Sequence, residues 1–307
     1  MSERIHLWIA KAYRGLNMTD RWWQSHNSMP TEDIEELPQF RGWLHFTDID
    51  TNPSIKNTYS QDAGVDGSRF EYNNLQNTQV KLSFYFEFDD YADYMAKKHD
   101  VQAYFAAKAT FTIETSYRPT LKADCYVSKA DIKPTSDHIA VFDVMLDNPA
   151  GMWHSNPTLM MSTKWLPYYN YDLRLPTRLS GVPDWSLHPG HNDIYIAGDQ
   201  MVQLTNPNMH LNVWLYGTGS SFSVTNHSSN TQLSADLRGQ SGGTMMWQNT
   251  NLYRITKTND TNNTFSGDPL NQYSNSTDFW LNPGWNDLEL QGASSGYVDT
   301  PFYFTTM

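Results

Sequence analysis

Between residues 80 and 88 apolar and polar side chains alternate without a break. Val80, Leu82, Phe84, Phe86 and Phe88 fall on one side, and Lys81, Ser83, Tyr85 and Glu87 on the other. A period of two sends successive side chains to opposite faces, so the segment predicts a half-buried β-strand. Asp89-Asp90 comes next, and two carboxylates suit the positive end of a helix dipole, so a helix is predicted to begin here. On a helical wheel Tyr91, Tyr94, Met95, Val101, Tyr104 and Phe105 share one side, with Lys98 intruding, and predict a face packed on a sheet. Further strands are predicted over 110–115, 122–127 and 139–145, with a short one at Trp43-Leu44-His45-Phe46. Strands, one helix and more strands make an α+β pattern rather than repeated βαβ units.

The pattern breaks at Asp147-Asn148-Pro149-Ala150-Gly151-Met152-Trp153, and the expected domains are 1–148 and 149–307. Pro157, Pro167, Pro176, Pro183 and Pro189 punctuate the start of the second domain, which should be mostly irregular there. From His191 onward short strands are predicted over 193–196, 209–216, 221–226, 231–237, 244–247, 252–256, 286–290 and 297–305. Turn residues separate them, which reads as an antiparallel β-sandwich. Two polar stretches are expected as loops: 50–77, flexible or used for contacts, and 257–278, mobile at the surface. Residues 1–50, with Trp22-Trp23 and an acidic run at Glu32-Asp33, give little periodicity.

Composition narrows the function. The 307 residues are 39% hydrophobic but 14% aromatic, so large rings must supply much of the core. A net charge of −12 argues against nucleic-acid binding, which needs clustered Lys and Arg on phosphates. The single cysteine, Cys125, excludes an intrachain disulfide and reads as a buried structural thiol in a strand. The N-terminal residues do not read as a signal peptide, and no apolar run approaches the roughly 18 residues of a membrane span, so no membrane insertion is expected.

Motifs that carry chemistry are scarce. Phosphate-binding glycine loops and His-Glu-x-x-His are missing. His188-Pro189-Gly190-His191 with Asp193 is the densest histidine cluster, but polar histidines in a Pro-Gly turn are ordinary, and no metal site is expected. Asp287 and Glu289 share one face of a predicted strand, as a glycosidase pair could. Outward carboxylates alternating with inward Leu288 and Leu290 explain them without catalysis. Neither catalytic residues nor cofactors are therefore expected. Among the aromatics, Trp165, Trp185 and Trp247 are candidate sugar contacts, Trp214 sits in an alternating strand and reads as core, and Trp285 after Pro283-Gly284 reads as a turn plug.

Three stretches resemble one family. Asp147-Asn148-Pro149-Ala150-Gly151-Met152-Trp153 resembles the junction after the first domain of distal tail (Dit) proteins of long-tailed phages. Ile194-Tyr195-Ile196-Ala197-Gly198-Asp199, followed by Asn208 to Gly217 and Ser221 to Asn226, is similar to their Gly-Asp segment, strand and turn. Leu281-Asn282-Pro283-Gly284-Trp285-Asn286-Asp287-Leu288-Glu289-Leu290, with Pro301-Phe302-Tyr303-Phe304 behind it, resembles their ending.

The resemblance implies an N-terminal ring-forming domain and a galectin-like C-terminal β-sandwich. It implies a virion protein at the distal end of a phage tail, synthesised and assembled in the host cytoplasm. Its implied partners are further copies of itself in a hexameric ring, the tail tube protein, a tail-associated lysin or hub protein, and receptor-binding proteins. On this reading the 50–77 stretch reaches a neighbouring subunit, with Asp62, Asp66, Arg69 and Tyr72 as contact residues. Two readings compete: a stand-alone carbohydrate-binding β-sandwich protein, and a glycoside hydrolase using Asp287.

Overall fold

The computed structural model describes residues 4–13, 31–61, 66–158, 161, 172–173, 175–176, 184–239, 243–248, 251–259, 264–274 and 278–307. The chain divides into two compact units, with Met29–Trp153 forming the body of the first and His154–Phe304 that of the second.

In the first unit the strands are β1 (Leu7–Tyr13), β2 (Glu32–Asp33), β3 (Leu44–Thr51), β4 (Ile55–Ser60), β5 (Arg69–Leu75) and β6 (Thr78–Glu87). Helix α1 (Tyr91–Phe105) comes after them, and then β7 (Ala109–Thr115), β8 (Arg118–Asp131) and β9 (Ile139–Asn148). A short strand, β10 (Trp153–His154), closes this part of the chain. The main sheet runs β2-β1-β7-β8-β9-β6-β3, antiparallel throughout. Within it β6 pairs along its whole length with β9, from Thr78↔Asn148 to Glu87↔Ile139, and on its other edge with β3.

The alternation read from the sequence is the burial pattern observed: Val80, Leu82, Phe84 and Phe86 are all fully buried. Phe84 stacks on Phe142 of β9 at 5.6 Å between ring centroids, and its ring lies 6.0 Å from Phe105 of α1. Aromatic pairs at such distances add to the area they remove from water.

Helix α1 starts where the two aspartates predict. Asp90 is the N-cap, its Oδ1 accepting from the Asp93 backbone N–H at 2.9 Å. Asp93 Oδ2 accepts from the Asp89 N–H at 3.0 Å and from Lys97 Nζ at 2.8 Å. These groups satisfy N–H donors that have no partner inside the helix. The hydrogen bond from Lys97 also holds the Asp93 carboxyl below its ordinary pKa. The buried stripe is narrower than the wheel predicts. Tyr94, Val101 and Phe105 are buried, whereas Tyr91 and Met95 are exposed. A single helix lying on a sheet covers only one stripe, and residues at its flank stay in solvent.

Three expectations change in this unit. A further strand, β1, lies in the region that gave little periodicity, and it pairs from Leu7↔Thr115 to Tyr13↔Ala109. Next, β8 runs over 14 residues where six were foreseen: it begins four residues earlier, and a register shift between Val127 and Lys129 lets its polar end keep pairing with β9. The 50–77 stretch, expected as a loop, is mostly a hairpin: β4 and β5 pair from Ile55↔Leu75 to Ser60↔Arg69.

The second unit contains β11 (Ser186–Leu187), β12 (Gly190–Ile196), β13 (Val202–Gln203), β14 (Asn212–Gly217), β15 (Ser221–Asn226) and β16 (Thr231–Asp236). It continues with β17 (Gly243–Gln248), β18 (Asn251–Asn259), β19 (Thr264–Pro269), β20 (Trp280–Leu281), β21 (Gly284–Gln291), β22 (Ser295–Asp299) and β23 (Tyr303–Phe304). One sheet runs β11-β22-β14-β17-β18-β19, a second β12-β21-β15-β16, and β13 pairs with β20. Each large sheet has a buried face. In the second, Phe222, Val224, Leu233, Ala235, Leu288 and Leu290 point inward while Ser223, Thr225 and Glu289 do not.

Two corrections apply here. The polar 257–278 stretch is not a plain loop, because β18 and β19 pair across it and a 3-10 turn comes after them at Asn271–Tyr273. The single strand expected over 297–305 is two, β22 and β23, interrupted at Thr300-Pro301-Phe302. Proline supplies no N–H to a ladder and ends the first.

Truncating Phe84 to alanine is expected to cost roughly 3–5 kcal/mol in urea unfolding, since it empties the centre of the aromatic cluster. Tyr91→Ala, at an exposed site, should stay within about 0.5 kcal/mol of the unmodified protein.

Candidate functional site

The β4–β5 hairpin is the least covered element of the first unit. It prolongs the paired ends of β3 and β6, where Thr51 faces Val80, and its base is tied by the Gln76 N–H to the Ser54 carbonyl at 2.8 Å. Six to seven residues of extended chain carry it about 20 Å outward. Among the described residues the two strands pair only with each other. Each therefore keeps an outer edge of unpaired backbone donors and acceptors, which templates another strand.

The hairpin's side chains are unusual for such a ribbon. Ile55, Tyr59, Phe70 and Tyr72 are each more than half exposed, and Tyr59 packs edge-to-face on Phe70 at 6.0 Å. Of the expected contact residues, Asp66 is exposed at the tip, Arg69 is exposed opposite Ser60, and Tyr72 lies opposite Thr58. Asp62 lies outside the described residues. The sequence reading missed Tyr59 and Phe70; adjacent aromatic and basic residues at Arg69-Phe70-Glu71-Tyr72 were the signal available.

A second feature sits on the outer face of the β12–β21–β15 sheet and starts from two matching turns. In His188-Pro189-Gly190-His191-Asn192 the Asn192 side chain accepts from the His188 N–H and donates to the His188 and Gly190 carbonyls, all at 2.8 Å. In Asn282-Pro283-Gly284-Trp285-Asn286 the buried Asn286 does the same, accepting from the Asn282 N–H at 2.9 Å and donating to the Asn282 and Gly284 carbonyls at 2.8 and 3.2 Å. Both glycines have φ +93°, a left-handed conformation that favours glycine. These clamps begin two strands that pair with each other, from Gly190↔Leu290 to Ile196↔Gly284.

The clamps thereby fix what points outward. Trp285 is not a turn plug but packs edge-to-face at 5.2 Å on its cross-strand partner Tyr195. His191 lies directly across from Glu289. Its Nδ1 is 2.8 Å from Asp287 Oδ1, and that hydrogen bond holds the imidazole above its ordinary pKa. His227 Nε2 is 3.0 Å from Glu289 Oε2, and the two imidazoles stack at 5.2 Å. Gln291 donates to Glu289 Oε1 at 2.7 Å, which with His227 holds this carboxyl below its ordinary pKa. His188, by contrast, is exposed and does not join the group.

The aromatic candidates change character. Trp185 is buried, its Nε1 donating to the Tyr195 carbonyl at 3.0 Å and its ring 5.8 Å from Phe302. Trp247 is buried too, donating to Ser274 Oγ at 3.0 Å. Neither can present a face to a sugar, because both rings are used in the core. Trp165 lies outside the described residues. An open depression of about 440 Å³ lies elsewhere, lined by Tyr216, Gly217, Gly219, Gly243, Gly292 and Ser294. The one cysteine is fully buried in β8, and burial, helped by Asp124 and Asp147, pushes the thiol well above its ordinary pKa.

Comparison with known proteins agrees with this architecture. Residues 37–148 match the family of phage tail protein RIFT-related domains. Over the whole chain the fold is that of the Dit protein of phage SPP1, a structure described as a paradigm of the hub adsorption apparatus in phages infecting Gram-positive hosts. The TM-score is 0.58 at 10% identity, covering 96% of this chain and 99% of that one. A chain of the phage P2 baseplate in its activated conformation with Ca covers 97% of this chain and 98% of its own, at 10% identity. Its TM-score of 0.38 adds nothing to the fold argument. No curated protein matches. The family match covers residues 37–148, and over the whole chain the fold is shared with a Dit protein.

Two outcomes are expected from the polar network and the thiol. Asn286→Ala should cost about 1–3 kcal/mol in chemical unfolding, because the Asn282 N–H and carbonyl lose their partner inside the fold. For Cys125 the folded pKa is raised, so its contribution holds below the ordinary thiol value of 9.0 and is lost as pH climbs above it. Melting temperatures recorded between pH 8 and about pH 11 should therefore fall more steeply for the unmodified protein than for Cys125→Ala.

Proposed function

We propose that the chain is a subunit of the hub ring at the distal end of a phage tail, joining the tail tube to the tip or baseplate. On this reading the first unit builds a hexameric ring, and the second is a galectin-like β-sandwich. Two antiparallel sheets, each with a buried face, support the sandwich. The tail tube protein docks on one side, a tail-associated lysin or hub protein on the other, and receptor-binding proteins at the rim. The role is mechanical, without catalysis.

The observation that carries the ring is the β4–β5 hairpin. An isolated two-stranded ribbon is marginal in water, and this one exposes Ile55, Tyr59, Phe70 and Tyr72 as well as two unpaired edges. A ring needs two different patches on each subunit, one fitting the other on its neighbour. The hairpin, with Asp66, Arg69 and Tyr72, is one of them, and laying it on the adjacent subunit covers its apolar side chains and pairs an edge.

Light scattering across a concentration series tests this. The full-length protein should assemble toward six times its 35.4 kDa mass as concentration rises. Phe70→Asp combined with Tyr72→Asp should keep it monomeric while leaving its melting temperature nearly unchanged, since both positions are exposed. An unchanged mass distribution in that variant would remove the hairpin from the interface.

A further inference from the structure

We propose that His191, His227 and Glu289 form a binding site for a divalent first-row transition-metal ion of the zinc class, on the outer face of the β12–β21–β15 sheet. Among the described residues they are the one group of three such side chains whose donor atoms all lie within 4.8 Å of one another. A tetrahedral ion with bonds of about 2.0–2.1 Å sets its ligands roughly 3.3 Å apart. His227 Nε2 and Glu289 Oε2, at 3.0 Å, already stand near that separation. The half-exposed His191 ring has room to close the rest.

The backbone holds the donors in place. His191 and Glu289 are cross-strand partners, and the His227 N–H bonds to the Asp287 carbonyl at 2.9 Å, so three adjacent chain segments are tied before any ion arrives. The surrounding groups also match the needs of ligands. Asp287 engages Nδ1 of His191, which leaves Nε2 as that ring's remaining donor. Gln291 occupies Oε1 of Glu289, which leaves Oε2. A carboxylate on the far nitrogen of a ligating histidine fixes its tautomer and orientation and makes it a better ligand.

Two imidazoles and a carboxylate select zinc-like ions over calcium or magnesium, which take all-oxygen shells. Three protein ligands leave a fourth position open to water or to an acceptor on another molecule. None of these residues belongs to the hairpin, so metal binding and ring formation stand or fall separately.

The test uses the full-length protein, stripped with a chelator and titrated with Co²⁺ as a spectroscopic probe, then with Zn²⁺ in competition. One ion per chain with a four-coordinate visible spectrum is expected. Asp287→Asn should weaken binding roughly 10–100-fold, and His227→Ala or Glu289→Gln should abolish the spectrum. His188→Ala, in the neighbouring turn, should leave it intact. His227→Gln serves as a second variant that fills the same space and keeps a hydrogen bond to Glu289. If the unmodified protein takes up no Co²⁺ or Zn²⁺, or if His227→Gln and Glu289→Gln bind as it does, the site is only a pair of surface ion pairs and the proposal falls.

Discussion

Strand β6 can sit in its sheet in only one way, and the first unit is built around that fact. Both of its edges are hydrogen-bonded, to β9 and β3, and four apolar side chains line one face from Val80 to Phe86. A slip of one residue would turn all four into water. At about 1.5–3 kcal/mol each, the penalty is on the order of 10 kcal/mol, comparable to the whole stability of a typical domain. That register fixes Phe84 and Phe86 against Phe142, and Phe84 beside Phe105, which seats α1. It also aligns the ends of β3 and β6 from which the hairpin extends.

In the second unit the corresponding constraint is polar. The X-Pro-Gly-X-Asn turns at 188–192 and 282–286 begin partnered strands with the same side-chain clamp, so register is set by asparagine amides rather than by packing alone. Asn286 also accepts from the amide of the buried Asn226, at 3.1 Å, tying β21 to the end of β15. This gives a physical reason for the most distinctive stretch of the sequence, from Leu281 to Leu290. Its Pro-Gly makes the turn, its Asn locks it, and the alternation after it divides Leu288 and Leu290 from Asp287 and Glu289.

Much of the fold was legible because burial on one face writes itself into the chain. The segments around β6, β9, β15 and β16 alternate and were read with nearly the observed limits. The β4–β5 hairpin and β19 were not, because neither shows that alternation. Lys56-Asn57-Thr58 and Asn73-Asn74 have no inside to face, so no periodicity records their pairing. Tryptophan misled for a related reason: residue type does not distinguish a ring packed in the core, as at Trp185 and Trp247, from one offered to a ligand. Of the cluster on the outer sheet, the sequence exposed the Asp287 and Glu289 pair and, separately, His191 in its Pro-Gly turn, but neither joined them nor pointed to His227. His191 and His227 come from distant positions, and the ladder alone unites them.

Cys125 bears on how such a protein ages. On the role proposed above the chain would sit in a particle exposed to air, where an accessible thiol would climb toward sulfenic and sulfinic acids or join a neighbour's thiol in a disulfide. Sealed within β8 and kept in its neutral, non-nucleophilic form, this sulfur takes neither path. Copies packed side by side in the proposed ring would therefore not become cross-linked through this thiol as the particle ages.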